Sequence, residues 1–364
     1  MLNFPLVIIG GGPAGLCAAK IAAEAGQKVL LIDRNPRLGG QLIKQTHMFF
    51  GSEKQYAKTR GFDIARQLIA TLGQFSDLVE IWTDATVVGV YPDFVVTVYR
   101  NHQYQKIQAQ AIIVATGASE KVLTFENNDL PGIYGAGAIQ TLMNVYGVKP
   151  GQQIIMVGSG NIGLIVSYQL LQAGVKVLAI LEAAPSIGGY KVHASKVRRL
   201  GVEICTSRTI KKAIGKDAVE KVITIGLDDK WQERPGSERE FTVDAVGIAV
   251  GLTPLTNILG MMGVKMKFVS ELGGLVPITN EHHETSVPNL FVCGDASGIE
   301  EASSAIVEGT LAGLVACEKL RKPHPKHQQL TNDYQEQLQI LRQGPFGAKI
   351  CQGLAKLGDL EDVK

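Results

Sequence analysis

The sequence predicts an α/β protein built on parallel sheets covered by helices. The main sign is an internal duplication. Residues 6–40 read LVIIGGGPAGLCAAKIAAEAGQKVLLIDRNPRLGG, and residues 154–189 read IIMVGSGNIGLIVSYQLLQAGVKVLAILEAAPSIGG. Each copy gives a short apolar strand, three glycines, an amphipathic helix ending at Ala-Gly and a second apolar strand. An acid, a proline three residues later and a Gly-Gly pair come next. The second copy carries one extra residue in its second strand. Such βαβ units build parallel sheets. Length and composition agree. A chain of 364 residues exceeds what one compact core usually supports, so two domains are expected. Its 41 glycines against 14 prolines suit many tight strand-to-helix turns.

Between the copies, residues 80–114 alternate in strand fashion. Gly117 to about Gly151 is turn-rich and reads as an interdomain connection. Residues 203–250 again read as strands. The stretch 268–320 holds a short apolar strand, NLFVCGD, then a helix from about Glu300. From Pro323 the tail is polar and lysine-rich, with a helix expected near 330–342.

The net charge of +2 gives no electrostatic reason to expect nucleic acid or an anionic membrane. The five cysteines, Cys17, Cys205, Cys293, Cys317 and Cys351, form no C-x-x-C and no zinc-type cluster. They read as reduced, buried thiols of a cytoplasmic protein. No basic region precedes an apolar stretch at the N-terminus, so no signal peptide is expected. Residues 154–175 lack charge, but their polar side chains and central turn read as strand–turn–helix rather than a membrane span.

Residues 10–15, GGGPAG, and 158–163, GSGNIG, both fit G-x-G-x-x-G. Gly10 and Gly158 make the tight turn. Gly12 and Gly160 clear space for a pyrophosphate, and Gly15 and Gly163 let helix pack on strand. The helix N-terminus then offers N–H groups and partial positive charge. One such match is often only a tight turn. Here each lies between strand and helix, and an acid ends the next strand: Asp33 or Glu182. A carboxylate there accepts hydrogen bonds from a ribose diol; the alternative is a helix cap or a solvated strand end. Glu182 would repel a 2′-phosphate, and Ala183–Ser186 supply no arginine. A nicotinamide ligand would therefore be NAD rather than NADP.

These residues resemble the two-dinucleotide-binding-domain flavoproteins, the superfamily of thioredoxin reductase and the pyridine nucleotide–disulfide oxidoreductases. ATG at 115–117 looks like the crossover between their FAD and NAD domains. TSVPNLFVCGDA at 285–296 resembles their second FAD motif, and GGQL at 39–42 their flavin-contacting loop. The resemblance covers roughly residues 5–315. It implies two Rossmann-like domains, the NAD-type domain inserted into a discontinuous FAD domain. The FAD domain would be 1–118 and 282–325, the NAD-type domain 119–281, and 326–364 a tail of unknown role. FAD would meet Gly10, Gly12, Pro13, Ala14, Gly15, Asp33, Arg34, Gly40, Gln41, Val87, Ala115, Thr116 and Gly117. Gly294 and Asp295 would take the ribityl side. A helix over 300–312 would aim Glu301 and Ala302 at the flavin; as first-turn residues they also suit an ordinary helix start. The second site would use Gly158, Gly160, Asn161, Ile162, Gly163 and Glu182.

The chain departs from the disulfide reductases in having no cysteine pair. GGQLIKQTHMFF after the first Gly-Gly lacks one, and so does LPGIYGAGAIQTLMNVYGVKPG ahead of the second fingerprint. The stretch ATGASEKVLTFENNDLPGIYGAGAIQTLM looks like the α subunits of heteromeric amine and amino-acid dehydrogenases: dye-linked proline dehydrogenase, opine oxidase, hydrogen cyanide synthase and sarcosine oxidase. Several relatives add a C-terminal iron–sulfur module. Here Cys351 stands alone, so none is expected.

Two functions follow as expectations. The first is an FAD-dependent oxidoreductase exchanging hydride with NAD(H) and passing electrons to a small-molecule or protein partner. The second is an α-like relay subunit with ADP or ATP in the second site, partnered by a second flavoprotein subunit. Self-association is expected in either case. No catalytic acid or base is assigned, because hydride exchange needs none. Residues 42–62 are the most individual part. Lys44, His47 and Arg60 would orient a substrate or partner, and Met48, Phe49 and Phe50 would form a docking patch, unless the segment is simply a loop packed by its aromatics. His282, His283, His324 and His327 read as surface residues, and no metal site is expected.

Overall fold

A computed structural model describes residues 1–358, apart from the side chains of residues 345 and 346. Residues 359–364 of the expected tail lie outside the described residues. The chain divides into two compact units, Met1–Ser119 with Thr253–Lys364, and Glu120–Leu252.

The first unit is built on a seven-stranded sheet. Strand Leu2–Ile9 lies between Val29–Ile32 and Gln103–Val114, and all three run parallel. Val79–Trp82 extends one side in parallel, and Leu290–Val292 joins the end of Gln103–Val114. On its other side Gln103–Val114 pairs antiparallel with Val95–Arg100, which in turn pairs antiparallel with Thr86–Val90. Leu6, Val7 and Ile8 are fully buried, as a strand covered on both faces requires. One face packs under helices Pro13–Glu24 and Ala302–Lys319 through Leu6, Ile8, Leu16, Ala312 and Ala316. Small residues bring these helices together: a Cβ on Gly309 would stand 2.0 Å from the Ala14 carbonyl oxygen.

The inserted segment is shorter than the expected 119–281. Residues 253–281 pack with the first unit, because Leu259, Met262 and Val264 join Val7, Ile9 and Trp82 in the core on the sheet's other face. The tail belongs to the first unit as well. It holds two helices, His327–Leu341 and Pro345–Leu357. Leu338 packs on Val307 and Leu311, while Ile350, Leu354 and Leu357 cover Val269, Leu272 and Val276.

The second unit has a five-stranded, wholly parallel sheet. Its order is Glu203–Cys205, Lys176–Leu181, Gln153–Val157, Ala245–Ile248, Ile133–Gly135. A separate antiparallel sheet holds Arg208–Ile214, Lys221–Gly226 and Arg239–Thr242. The extra residue of the second sequence copy is visible as a bulge: the register slips between Val177 and Ala179, leaving Leu178 over. Residues 117–151 are not merely a connection. They supply the strand Ile133–Gly135 and the helix Ala136–Tyr146, whose Ala136 and Ile139 pack beside Ile154 and Met156. Among the described residues no helix is long and apolar enough to cross a membrane.

Candidate functional site

The two glycine turns are the same structure built twice. Gly10 N donates to Ile32 O at 2.8 Å, and Gly158 N to Leu181 O at 2.7 Å. Leu16 N reaches Gly12 O at 2.9 Å, and Leu164 N reaches Gly160 O at 3.1 Å. The strand behind each turn is fixed alike, by Ala115 N on Ile9 O at 2.8 Å and Ala249 N on Val157 O at 2.7 Å. Gly10 and Gly158 have φ of +112° and +106°. A Cβ on either would stand 2.2 Å from the carbonyl oxygen of Ala115 or Ala249. Only glycine meets both constraints. A Cβ on Gly15 or Gly163 would likewise meet the oxygen of Gly10 or Gly158, at 1.8 and 2.1 Å. Gly160 differs: no atom lies within 4 Å of its ideal Cβ. That open space in front of the turn is where a phosphate would approach.

The fingerprint helices Pro13–Glu24 and Asn161–Gln172 begin at Gly12 and Gly160. Neither has a side-chain cap or an acid in its first turn. Their N–H groups and partial positive charge therefore fit an anion. Asp33 accepts from Gly11 N at 2.6 Å, Asn35 N at 2.7 Å and Asn35 Nδ2 at 3.0 Å. Glu182 accepts from Ser159 N at 3.0 Å, Ser159 Oγ at 2.6 Å and Ala184 N at 3.0 Å. A carboxylate offers about four acceptor positions, so each acid keeps roughly one, on Asp33 Oδ2 or Glu182 Oε1. Both acids thus hold their turn and retain capacity for a ribose hydroxyl.

The Gly-Gly loops fold over the turns by different means. Gly39 N donates to Gly11 O at 2.8 Å, and Gly40, at φ +52°, lies directly against Gly12. In the second copy Gly189 N donates to Ser159 O at 2.8 Å, Gly188 N to Ser159 Oγ at 3.1 Å, and Tyr190 N to Asn161 Oδ1 at 2.8 Å. Ser159 and Asn161 thereby act as side-chain ties. Ile162 is exposed beside them.

In the first unit the expected flavin contacts converge on the first turn. Ala115 lies against Gly10 and Gly15, Thr116 Oγ1 donates to Leu255 O at 2.7 Å, and Gly117 has φ +73°. Gly294 packs on Ala14. Ala85 N on Asp33 O, at 3.0 Å, brings the strand bearing Val87 beside Asp33. Arg34 and Gln41 are exposed. Burial pushes the Asp295 carboxyl up to about 7, with Glu308 and Glu300 nearby adding to the effect. Its carboxylate accepts a long hydrogen bond from Glu300 N, 3.5 Å. Such an acid fits the hydroxyl donors of a ribityl chain. The helix following it runs Ala302–Lys319, longer than expected, with Glu301 at its N-cap position and no acid in its first turn.

The segment 42–62 is a folded loop. Arg60 Nη1 donates to Thr46 O at 2.6 Å, and Phe49 N and Lys58 N exchange bonds with Thr59 O and Phe49 O. Arg60 therefore closes a turn. Phe49 is buried in the core with His47 stacked on it, so only Met48 and Phe50 of the expected patch are exposed. Lys44 ends the short helix Gly40–Lys44. His283 is not on the surface; it is buried, and desolvation pushes it down to about 4. His282 pairs with Glu281, His327 with Glu318, and His324 Nδ1 accepts from Lys326 N. No metal-ligating group of side chains occurs among the described residues.

Four cysteines are buried and Cys351 is exposed, against the expectation that all five are buried. Burial raises Cys17 and Cys317 to about 12, and Cys293 well above the ordinary thiol range. None of these is a ready thiolate. Sequence reasoning also missed three acids and an arginine. Glu120 caps helix Ala136–Tyr146, accepting from Gly137 N at 2.6 Å. Glu300 and Glu308 pair with Arg342 beside Gly294. Glu120 carries no local signal, and the other three are joined only by the tertiary fold.

The family described as pyridine nucleotide-disulphide oxidoreductase matches residues 4–309. The chain belongs to this family. Within it, the chain is 26% identical over 341 residues to the A subunit of opine oxidase from Rhizobium meliloti (strain 1021), covering 87% of this chain and 71% of that one. It is 26% identical over 328 residues to the alpha subunit of sarcosine oxidase from Corynebacterium sp. (strain P-1), covering 85% of this chain but only 32% of the relative. The A subunit of another opine oxidase, from Rhizobium meliloti, is 28% identical over 86% of this chain and is spanned over 62% of its own length. Among solved structures, L-proline dehydrogenase from P. horikoshii has a TM-score of 0.69 at 24% identity, over 93% of this chain and 59% of that chain. Thioredoxin reductase of T. acidophilum has a TM-score of 0.72 at 21% identity, over 88% and 99%. These two likenesses show the fold. The chain is thus an oxidoreductase-family protein whose buried cysteines are free, with no disulfide between them.

Two outcomes are expected. Gly163→Ala forces a Cβ into the Gly158 oxygen and destabilises the protein by about 1–3 kcal/mol in denaturant melts, whereas Gly160→Ala leaves the melt unchanged and weakens nucleotide binding at the second turn. Asp295 binds its proton more tightly folded than unfolded. Its contribution to stability is therefore present at low pH and lost as pH rises through about 7. In FAD-free protein, Asp295→Asn should raise the melting temperature most at about pH 8 and have little effect at about pH 4; an equal shift at both would contradict this origin.

Proposed function

We propose that this chain is an FAD-dependent oxidoreductase, with FAD on the first glycine turn and NAD(H) on the second. The observation that carries the reading is the duplicated turn: each copy presents an uncapped helix N-terminus, glycines that admit a phosphate, and a strand-end carboxylate with an acceptor position to spare. Bound together, these cofactors supply hydride exchange between nicotinamide and flavin.

The chain's own residues bind and orient. The N–H groups at Ala14–Gly15 and Ile162–Gly163 face the two pyrophosphates, and Asp33 and Glu182 take the adenosine riboses. Asp295 accepts from the ribityl chain. The start of helix Ala302–Lys319 would offer its positive dipole end to a reduced, anionic flavin. No acid or base from the protein is required. With no thiol pair, electrons leave toward a small molecule or a partner protein rather than a protein dithiol.

A second reading is favoured by the relatives, which are named as subunits of opine oxidase and sarcosine oxidase. In it the chain is one subunit of a larger amine or amino-acid dehydrogenase, and the second turn keeps a resident ADP or ATP. LIVSYQL after Gly163 lacks the glutamate that the resemblance to NAD-binding domains leads one to expect there, and this departure motivates the second reading.

Anaerobic mixing of the purified yellow protein with NADH separates the two. Loss of the visible flavin band within the mixing experiment is the expected result. An unbleached flavin, with ADP or ATP retained on the protein, overturns the first reading in favour of the second.

A further inference from the structure

Beyond the family match, which ends at residue 309, lie the helices His327–Leu341 and Pro345–Leu357. Arg342 follows directly on the first of them, and its side chain is only 18% exposed. Nη2 donates to Glu300 at 2.6 Å and to Glu308 at 2.8 Å, while Nε spans both Glu300 oxygens at 3.1 and 3.2 Å. The other oxygen of Glu308 accepts from Gly294 N at 2.8 Å and Ser297 Oγ at 3.1 Å. One carboxylate therefore links the guanidinium to the backbone of the Gly294–Asp295 turn.

We propose that the C-terminal extension clamps the flavin-binding turn, with Arg342 as its positioning residue acting through Glu308. The proposal rests on the FAD reading above. Glu300 and Glu308 are 9% and 4% exposed, and Arg342 is the cation that meets both. Removing it leaves two close, buried carboxylates uncompensated. They then take up protons, which weakens the charge-assisted Glu308 bond to Gly294 N, or move apart, which breaks it.

The same extension also holds the segment after the Gly-Gly loop. Lys54 pairs with Asp333 at 2.8 Å, Gln55 donates to Gln337, and Gln337 donates to Asp333 at 2.6 Å. Both sequence motifs expected against the flavin are thus followed by residues tied to one helix.

The test is FAD binding to the deflavinated full chain, followed by quenching of flavin fluorescence. Arg342→Gln is expected to weaken binding roughly tenfold, the cost of a lost charge-assisted bond. Arg342→Lys keeps the charge but loses the fork, and should weaken it roughly threefold. Lys356→Met removes the Lys356–Glu271 pair, which ties the last helix elsewhere, and should leave the affinity unchanged. Wild-type affinity in both Arg342 variants overturns the clamp, as does equal weakening by Lys356→Met. If Arg342→Gln fails to fold by circular dichroism, Arg342→Lys alone decides. A wild-type chain that takes up no FAD overturns the flavin reading instead.

Discussion

The close crossing of backbone on backbone at the glycine turn is the constraint on which this molecule rests. Where strand Leu2–Ile9 gives way to helix Pro13–Glu24, the chain passes so near Ala115 that any side chain at residue 10 would collide with its carbonyl. The same holds at residue 158 against Ala249. This closeness does two things at once. It locks the first helix turn onto the sheet, and it leaves the helix's N-terminal N–H groups facing outward. An anion site is the by-product of packing strand, turn and helix this tightly.

Because the constraint is written in glycines and flanking apolar runs, it was legible in the sequence, and so was its repetition. The extra residue of the second copy even survives as a bulge at Leu178. The chain beyond each turn was less legible. Asp33 and Glu182 could be named as strand-end acids, but not as the groups that hold their own turns through Gly11 and Ser159. The loop ties by Ser159 and Asn161 depend on two side chains bonding to residues 29 positions ahead.

The least legible parts are those settled by distant packing. Residues 253–281 carry no boundary signal, and it is packing, such as that of Leu259, Met262 and Val264 against the first sheet, that assigns them. Arg342 lies at the end of the helix expected near 330–342, with nothing local to mark it, yet it is the cation between Glu300 and Glu308. His283 reads as surface and is buried. In each case the local pattern is right for the element and silent about the partner. Charged residues gain meaning here from where the fold takes them, as the conversion of Asp295 into a weakly acidic group illustrates.

A resident FAD on the first turn is the keystone of the proposed chemistry. Mass identification of the nucleotides released on denaturing the purified chain tests it without intermediaries. A full equivalent of FAD per chain is the expected result; a colourless chain that releases no flavin and takes none up when it is supplied would contradict it.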